Sequence, residues 1–444
     1  MRRLIATLAL LAALALPGCL FDDDGDSPQR PAERERVGTV TPRSAFAFGD
    51  SIGVATHPTY FGTVHDQEDR LAQAIADAGI RHVRSGMAIS DNDGWNERAW
   101  ANMRAWPEHG IVSSWGVDRC SVNWENQGHT VREYLDKIAE IDGDLSSAIE
   151  GTNEVNKYCA DGGWVEPERR YVASLYREVN DHPDPVIRSL PVIGPSFARP
   201  DAAAQLGDVR RWLDVRNTHP YTGCLSPTPE HVQRYGIDDY EPAGGTKPVY
   251  ATEVGFHTAV SSASPGEQPP CDERTAGVYT LRTVLEHFNM GIRRTYLYEA
   301  IDLWPDPGRQ KASWNFGILR NDFSPKPAYT YLQNLLATTR SEQAVEPEPL
   351  ELEVERGPGD LRELLLRRAD GAYVLALWRH VSVWDRDVRQ PLPVAPSRVE
   401  VNVPSAGSVA KVEPHVSAAE RRLPIESGRV RFDVASDAVL LVIR

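Results

Sequence analysis

Between residue 46 and about 336, short apolar runs alternate with longer stretches whose apolar positions recur at helical spacing, the pattern of βα units around a parallel sheet. Eight runs read as strands, at 51–57, 80–87, 111–117, 147–153, 186–196, 215–219, 248–253 and 294–300. Helices are predicted over 67–78, 96–109, 131–141, 167–180, 202–214, 273–290 and 327–338, with the weakest pattern around 229–235. Such a chain can close into a barrel or lie open as a doubly wound sheet; eight strands, each followed by a helix, favour closure. Beyond about Arg340 the texture changes to short alternating runs at 350–354, 361–366, 372–378, 399–403, 430–434 and 439–443, separated by turn signals such as Ala369-Asp370-Gly371. That texture predicts an antiparallel β-sandwich. The expected fold class is α/β: a (β/α)8 TIM barrel over residues 45–340, then a small C-terminal antiparallel β-sandwich over 341–444. The second module could bind a ligand or brace the barrel, and the lack of an aromatic cluster favours bracing.

Ahead of these modules, Arg2 and Arg3 precede an apolar run from Leu4 to Leu16 that ends in Pro17-Gly18-Cys19. The run is shorter than the roughly 20 residues a spanning helix needs, so residues 1–18 read as a signal peptide. Gly18-Cys19 resembles the bacterial lipoprotein cleavage box, which implies lipidation of Cys19 and anchoring to the outer face of the cytoplasmic membrane. An ordinary secretory signal would instead leave the chain secreted. Residues 19–44, with the run Asp22-Asp23-Asp24 and many Pro, Glu and Arg, are too polar to bury a core and predict a disordered tether.

The formal net charge is −15 with no block of Lys or Arg, which argues against a nucleic-acid partner and leaves a carbohydrate substrate open. Four cysteines follow Cys19, namely Cys120, Cys159, Cys224 and Cys271, and an even number in an exported chain favours disulfides over metal ligands. Three pairings are possible; the order of the loops favours Cys120–Cys159 with Cys224–Cys271. No cofactor or metal is called for, and the sequence is silent on oligomeric state.

In a (β/α)8 barrel, chemistry sits where strands end and βα-loops begin. His57, Arg84, Asp118, Glu154, His219, Tyr221, Glu253 and Glu299 all fall at or just past predicted strand ends. The fourth strand ends in Ala148-Ile149-Glu150-Gly151-Thr152-Asn153-Glu154-Val155-Asn156, and the seventh lies in Lys247-Pro248-Val249-Tyr250-Ala251-Thr252-Glu253-Val254-Gly255-Phe256-His257. Glu154 and Glu253 can then face one another over a shared cleft. Glycoside hydrolysis needs two such carboxyls: one protonates the leaving oxygen, the other attacks the anomeric carbon or activates water. Glu150, two strand periods before Glu154, also points inward and reads as a buried partner of Arg84. His57, His219 and His257 lack compact metal-ligand spacing and read as hydrogen-bonding groups. Trp304 and Trp314 fall in the last βα-loop, where they could stack on a sugar face or fill core.

These segments resemble clan A of the glycoside hydrolases, retaining barrels of cellulase-like and xylosidase-like type. Gly53-Val54-Ala55-Thr56-His57 is similar to the clan's first strand, Arg84 to its second-strand arginine, and Asn153-Glu154 to its acid/base pair. His219-Pro220-Tyr221 and Thr252-Glu253-Val254-Gly255 resemble strands six and seven. Phe316-Gly317-Ile318-Leu319 through Pro325-Lys326-Pro327-Ala328-Tyr329 resembles the closing segment before the last helix. The resemblance implies double displacement through a covalent glycosyl-enzyme intermediate on an extracellular poly- or oligosaccharide. Glu154 would be the acid/base, its pKa raised by burial and by Glu253, and Glu253 the nucleophile. Arg84 and Tyr221 would keep Glu253 ionised and aimed, and Asn153 would hold the hydroxyl next to the reacting carbon. His57, His219, Glu299, Trp304 and Trp314 complete the implied substrate-binding set.

A reading from another class starts at Phe48-Gly49-Asp50-Ser51-Ile52-Gly53, which resembles the first block of the Gly-Asp-Ser esterases, with Ser51 as nucleophile. It needs an Asp-x-x-His near the end of the catalytic domain, which is missing, and it leaves Glu253 unexplained. A third reading is a non-catalytic, glycan-binding barrel.

Overall fold

Eight strands form the centre of the computed structural model: β1 Ile52–Ala55, β2 His82–Gly86, β3 Val112–Gly116, β4 Ser146–Glu150, β5 Val192–Ile193, β6 Arg216–Thr218, β7 Val249–Val254 and β8 Arg294–Leu297. The structure describes residues 38–119, 129–159, 163–199, 201–263 and 268–444. The expected signal peptide, Cys19 with most of the tether, and Cys120 lie outside the described residues. All neighbouring strands pair in parallel in the order β5-β4-β3-β2-β1-β8-β7-β6, and a bridge from Ile193 to Val215 joins the two edges, so the sheet closes into the expected barrel. Helices cover its outside, which explains the apolar strand sequences: Ile52, Val54, Val83, Ile149 and Val254 are fully buried. The interior is filled by side chains. A Cβ on Gly53 would sit 2.5 Å from the Tyr296 ring, so β1 carries glycine where β8 supplies a tyrosine.

Two segments differ from the expected pattern. The apolar run predicted as one strand over 186–196 is split into a helix, Pro185–Ser189, and the two-residue β5. Asp184 accepts the Val186 N–H at 2.7 Å and Pro185 fixes the first helical φ, a start signal that overrides the β-branched residues after it. The predicted helix over 202–214 stops after Ala202–Leu206, at Gly207 with φ 69°, and resumes as a 3-10 turn at Arg210–Trp212. The weakly patterned sixth helix is Pro229–His231 running into a π-helical segment, Val232–Asp238.

The C-terminal module packs a six-stranded sheet on a three-stranded one, as the alternating runs predict. Successive side chains of a strand face opposite ways. Leu365, Leu375, Leu377, Leu441 and Ile443 therefore enter the sandwich core with Val399, Val401 and Phe432. Leu364, Leu366, Val374, Ala376, Trp378, Leu440 and Val442 join the barrel's apolar cluster instead. The central strands of the six-stranded sheet are thus buried on both faces, the geometry of a brace. Residues ahead of the barrel take part too: Arg43–Ser44 pair in parallel with Leu366 and Arg367, and Val40 bridges to Leu350.

Helix Glu273–Asn289 lies between barrel and sheet and is buried on nearly every side. Its Arg282 donates to the carbonyls of Val381 and Ser436, both at 2.7 Å, and its Glu286 accepts from Arg362 at 2.8 Å and from Trp378 Nε1 at 3.1 Å. Among the described residues, no helix is long and apolar enough to cross a membrane.

Candidate active site

At the C-terminal ends of the strands a cavity of about 950 Å³ opens, at the upper end of the usual range for ligand pockets. β4 ends at Glu150, and four residues later Glu154 adopts φ 40° and ψ 50° before a single helical turn, Val155–Tyr158. A left-handed glutamate is costly, by about 1–3 kcal/mol, and persists only where the surroundings impose it. Here Ser196 Oγ accepts the Glu154 N–H at 2.8 Å and fixes the turn. The turn aims the Glu154 carboxylate into the cavity. Its Oε1 lies 3.4 Å from His219 Nδ1, and its Oε2 accepts from Lys157 Nζ at 2.8 Å.

Glu253, near the end of β7, accepts from Arg84 Nη1 at 3.0 Å on one oxygen and from the Tyr221 hydroxyl at 2.6 Å on the other. Ligand atoms of Glu154, His219 and Glu253 lie within 4.8 Å of one another, so the two carboxylates share one small space. Beneath them Arg84 grips the fully buried Glu150 with Nε and Nη2, both at 2.8 Å, as strand periodicity predicts. Glu150 also accepts from Asn217 at 2.9 Å, and Thr252 Oγ1 lies 3.0 Å away. Arg84 Nη2 further donates to Asn153 Oδ1 at 2.8 Å, which fixes the amide at the cavity wall.

The electrostatics follow from these contacts. Burial lowers the Arg84 guanidinium, but Glu150 and Glu253 outweigh it and raise it above its ordinary value. Burial and the adjacent Glu253 charge push the Tyr221 phenol well up, which keeps it a donor. For Glu154 the sequence expectation is overturned. Burial does push its carboxyl up, yet His219 and Lys157 prevail and hold it down at about 2, so the resting group is ionised rather than protonated.

Of the residues expected to bind substrate, His57, Arg84, Asn153, His219 and Tyr221 line the cavity together with Glu154 and Glu253. Glu299 is not on the wall; it is buried behind it, 3.1 Å from His57 Nε2. Trp304 and Trp314 are not on the wall either. Their rings pack on each other at 6.3 Å, and the short 3-10 turn Ala312–Trp314 presents Ser313, with Phe316 beyond it, to the cavity instead. The aromatic wall is made by residues outside the expected substrate-binding set, including Tyr60, Tyr158, Tyr298 and Phe316. Lys157, Ser196, Asn217 and Thr252 were likewise missed. Asn217 and Thr252 carried a signal, being polar residues inside short apolar strands.

Cys224 and Cys271 form the expected disulfide, with Cα atoms 5.8 Å apart, between the loops after β6 and β7. Such a bond is characteristic of an exported chain. Ser51 is buried just before β1, at the opposite end of the barrel from the cavity, and its hydroxyl donates to the Phe48 carbonyl at 2.7 Å. It has no path to a substrate there. Glu154, His219 and Glu253 are spaced closely enough to hold a metal ion. The Arg84 and Lys157 cations bound to those same carboxylates oppose a divalent ion in that place.

No family model matches the sequence, and no curated protein is similar to it. Among solved structures, a glycoside hydrolase family 39 (GH39) enzyme from Xanthomonas axonopodis pv. citri superposes with a TM-score of 0.56 at 16% identity, covering 91% of this chain and 95% of that one. A GH39 β-xylosidase from Caulobacter crescentus superposes with a TM-score of 0.54 at 14% identity, covering 92% and 98%. At these identities the likeness is one of fold, and it extends over barrel and sandwich together.

Proposed function

We propose that this chain is an exported retaining glycoside hydrolase, with Glu253 as nucleophile and Glu154 as general acid/base. The observation that carries the reading is the pair of carboxylates within 4.8 Å across a cavity at the barrel mouth, each held by different partners. Retaining enzymes place their carboxyls about 5 Å apart, whereas inverting enzymes leave roughly 6.5–9.5 Å for a water. Glu253, held by Arg84 and Tyr221, is an ionised group aimed at an anomeric carbon. Its attack forms the glycosyl-enzyme ester as Glu154 protonates the departing oxygen; Glu154 then takes a proton from the water that cleaves the ester. Asn153, its Oδ1 held by Arg84, offers amide N–H to a sugar hydroxyl. The fold shared with a β-xylosidase supports a β-linked substrate.

Export with Cys19 as a lipidated first residue belongs to the same proposal and rests on Leu16-Pro17-Gly18-Cys19. Radiolabelled palmitate should enter the wild type and not Cys19→Ala.

The test of the activity is a screen of the tail-free protein on aryl β-glycosides, polysaccharides and aryl esters. Glycoside cleavage supports the reading. Ester cleavage lost in Ser51→Ala, or sugar binding without any turnover, would replace it with one of the two alternatives.

A further inference from the structure

Both oxygens of Glu154 are occupied, and the two partners differ in kind. The His219 side chain is 2% exposed, and its other nitrogen rests 3.1 Å from Thr252 Oγ1, so it is fixed. Lys157 is 54% exposed, on the helical turn that follows Glu154, with its ammonium also 4.7 Å from the centre of the Tyr158 ring. A general acid needs an oxygen open to the leaving group and a proton on it. An ammonium at 2.8 Å denies both, so Lys157 is the group that must move.

Withdrawal into water sacrifices a charge-assisted hydrogen bond. An anion on the departing part of the substrate would supply a replacement of the same kind. A second basic side chain faces the same space: Arg199, 61% exposed on the loop after β5, lines the cavity with Asp201 at 3.8 Å. The third cation of the wall, Arg84, is committed to Glu150 and Glu253. Lys157 and Arg199 come from the loops of adjacent strands, on the side where a leaving group must meet Glu154.

Resting on the glycosidase reading above, we propose that Lys157, aided by Arg199, selects an acidic leaving group: an anionic substituent on the departing unit draws the ammonium off Glu154. The freed carboxyl takes a proton from solvent and delivers it to the departing oxygen as the bond to Glu253 forms. Water returns a proton to Glu154 in the second step. The groups facing Glu154 are His219, Glu253, Tyr221 beyond Glu253, and Lys157, and of these Lys157 alone is exposed enough to leave. With Lys157 gone, burial acts against His219 alone and the carboxyl rises. The overall charge of −15 opposes an acidic polymer at long range, but salt screens that beyond about 8 Å and leaves the local pair to decide.

The experiment compares 4-nitrophenyl β-glycosides of xylose, glucose, galactose and mannose with their 3-carboxy-4-nitrophenyl counterparts. kcat and KM are measured across pH for wild type, Lys157→Met and Lys157→Arg. The wild type should favour the carboxylated leaving group about tenfold in kcat/KM. Lys157→Met should lose that preference, and the alkaline limb of its profile on the neutral partner should move to higher pH. Lys157→Arg should keep the preference. Equal kcat/KM across the pair in the wild type, or a preference that survives in Lys157→Met with an unmoved limb, overturns the proposal while leaving the glycosidase reading intact. Failure to cleave either series, or any polysaccharide of the activity screen, removes the glycosidase reading and this proposal with it.

Discussion

Among the described residues, one buried arginine–glutamate network lies at the barrel mouth and another under the sandwich. In the first, Arg84 joins Glu150 and Glu253; in the second, Arg362 reaches Glu286, while Arg282, one helical turn before Glu286, ends on backbone carbonyls. Burial drags the Arg282 guanidinium down to about 10, because the neighbouring Tyr279, Asp437 and Asp360 offset it only partly. Arg84, also largely removed from water, is raised instead by the two carboxylates it touches. Buried charge therefore does not by itself mark a functional site. The difference lies in the open side: Trp378 and the six-stranded sheet close over Glu286, whereas Glu253 and Glu154 look onto a cavity of about 950 Å³.

Substitutions can separate the two networks. The largest effect is expected at the mouth, where Glu253→Ala should lower kcat by ~10⁴-fold or more while the thermal transition stays within a few degrees. Glu286→Ala should do the reverse: it leaves Arg362 and Trp378 without their buried acceptor and should cost about 3–5 kcal/mol in denaturant titration, with activity per folded molecule retained. An equal loss of activity in both variants would erase the distinction.

A third carboxylate sharpens it by pH. Glu168 is buried behind Thr152, whose hydroxyl lies 3.1 Å away, and burial pushes it from an ordinary 4.5 up to about 7 despite Thr152 and Arg119. The folded chain then holds this proton at pH values where the unfolded chain has lost it. Its contribution is fully present below about 4.5 and is lost as pH rises through about 7, roughly 3 kcal/mol in all. Glu168→Gln should flatten that fall in urea titrations at pH 5 and 8. The smallest change is expected from Trp304→Ala: the ring lies off the cavity wall, so kcat/KM should alter less than about twofold.

The barrel and the carboxylate pair were legible in the sequence because both depend on order along the chain: eight apolar runs, with glutamates ending the fourth and seventh. The sandwich was legible for the same reason, although the central strands of its six-stranded sheet, buried on both faces, carry runs such as Leu364-Leu365-Leu366 that blur the alternation. The split of the fifth strand was written in Asp184-Pro185, a cap followed by a helix-starting proline, and was hidden by the apolar residues around it. The Lys157 contact was not legible, because it needs Glu154 in a left-handed conformation that Ser196, 42 residues later, stabilises. The raised pKa expected for Glu154 failed because His219 and, after it, Lys157 outweigh burial: burial could be inferred from the motif, but those two contacts could not. Trp304 and Trp314 misled because their place in a loop did not say which way the 3-10 turn would face.

The central claim is that Glu253 attacks the sugar directly, and the anomer released first tests it most simply. With an aryl β-glycoside that the protein cleaves, proton NMR in the first minutes should show the β-anomer of the free sugar appearing before mutarotation produces the α-anomer. Initial release of the α-anomer would mean inversion and would contradict a nucleophilic role for Glu253.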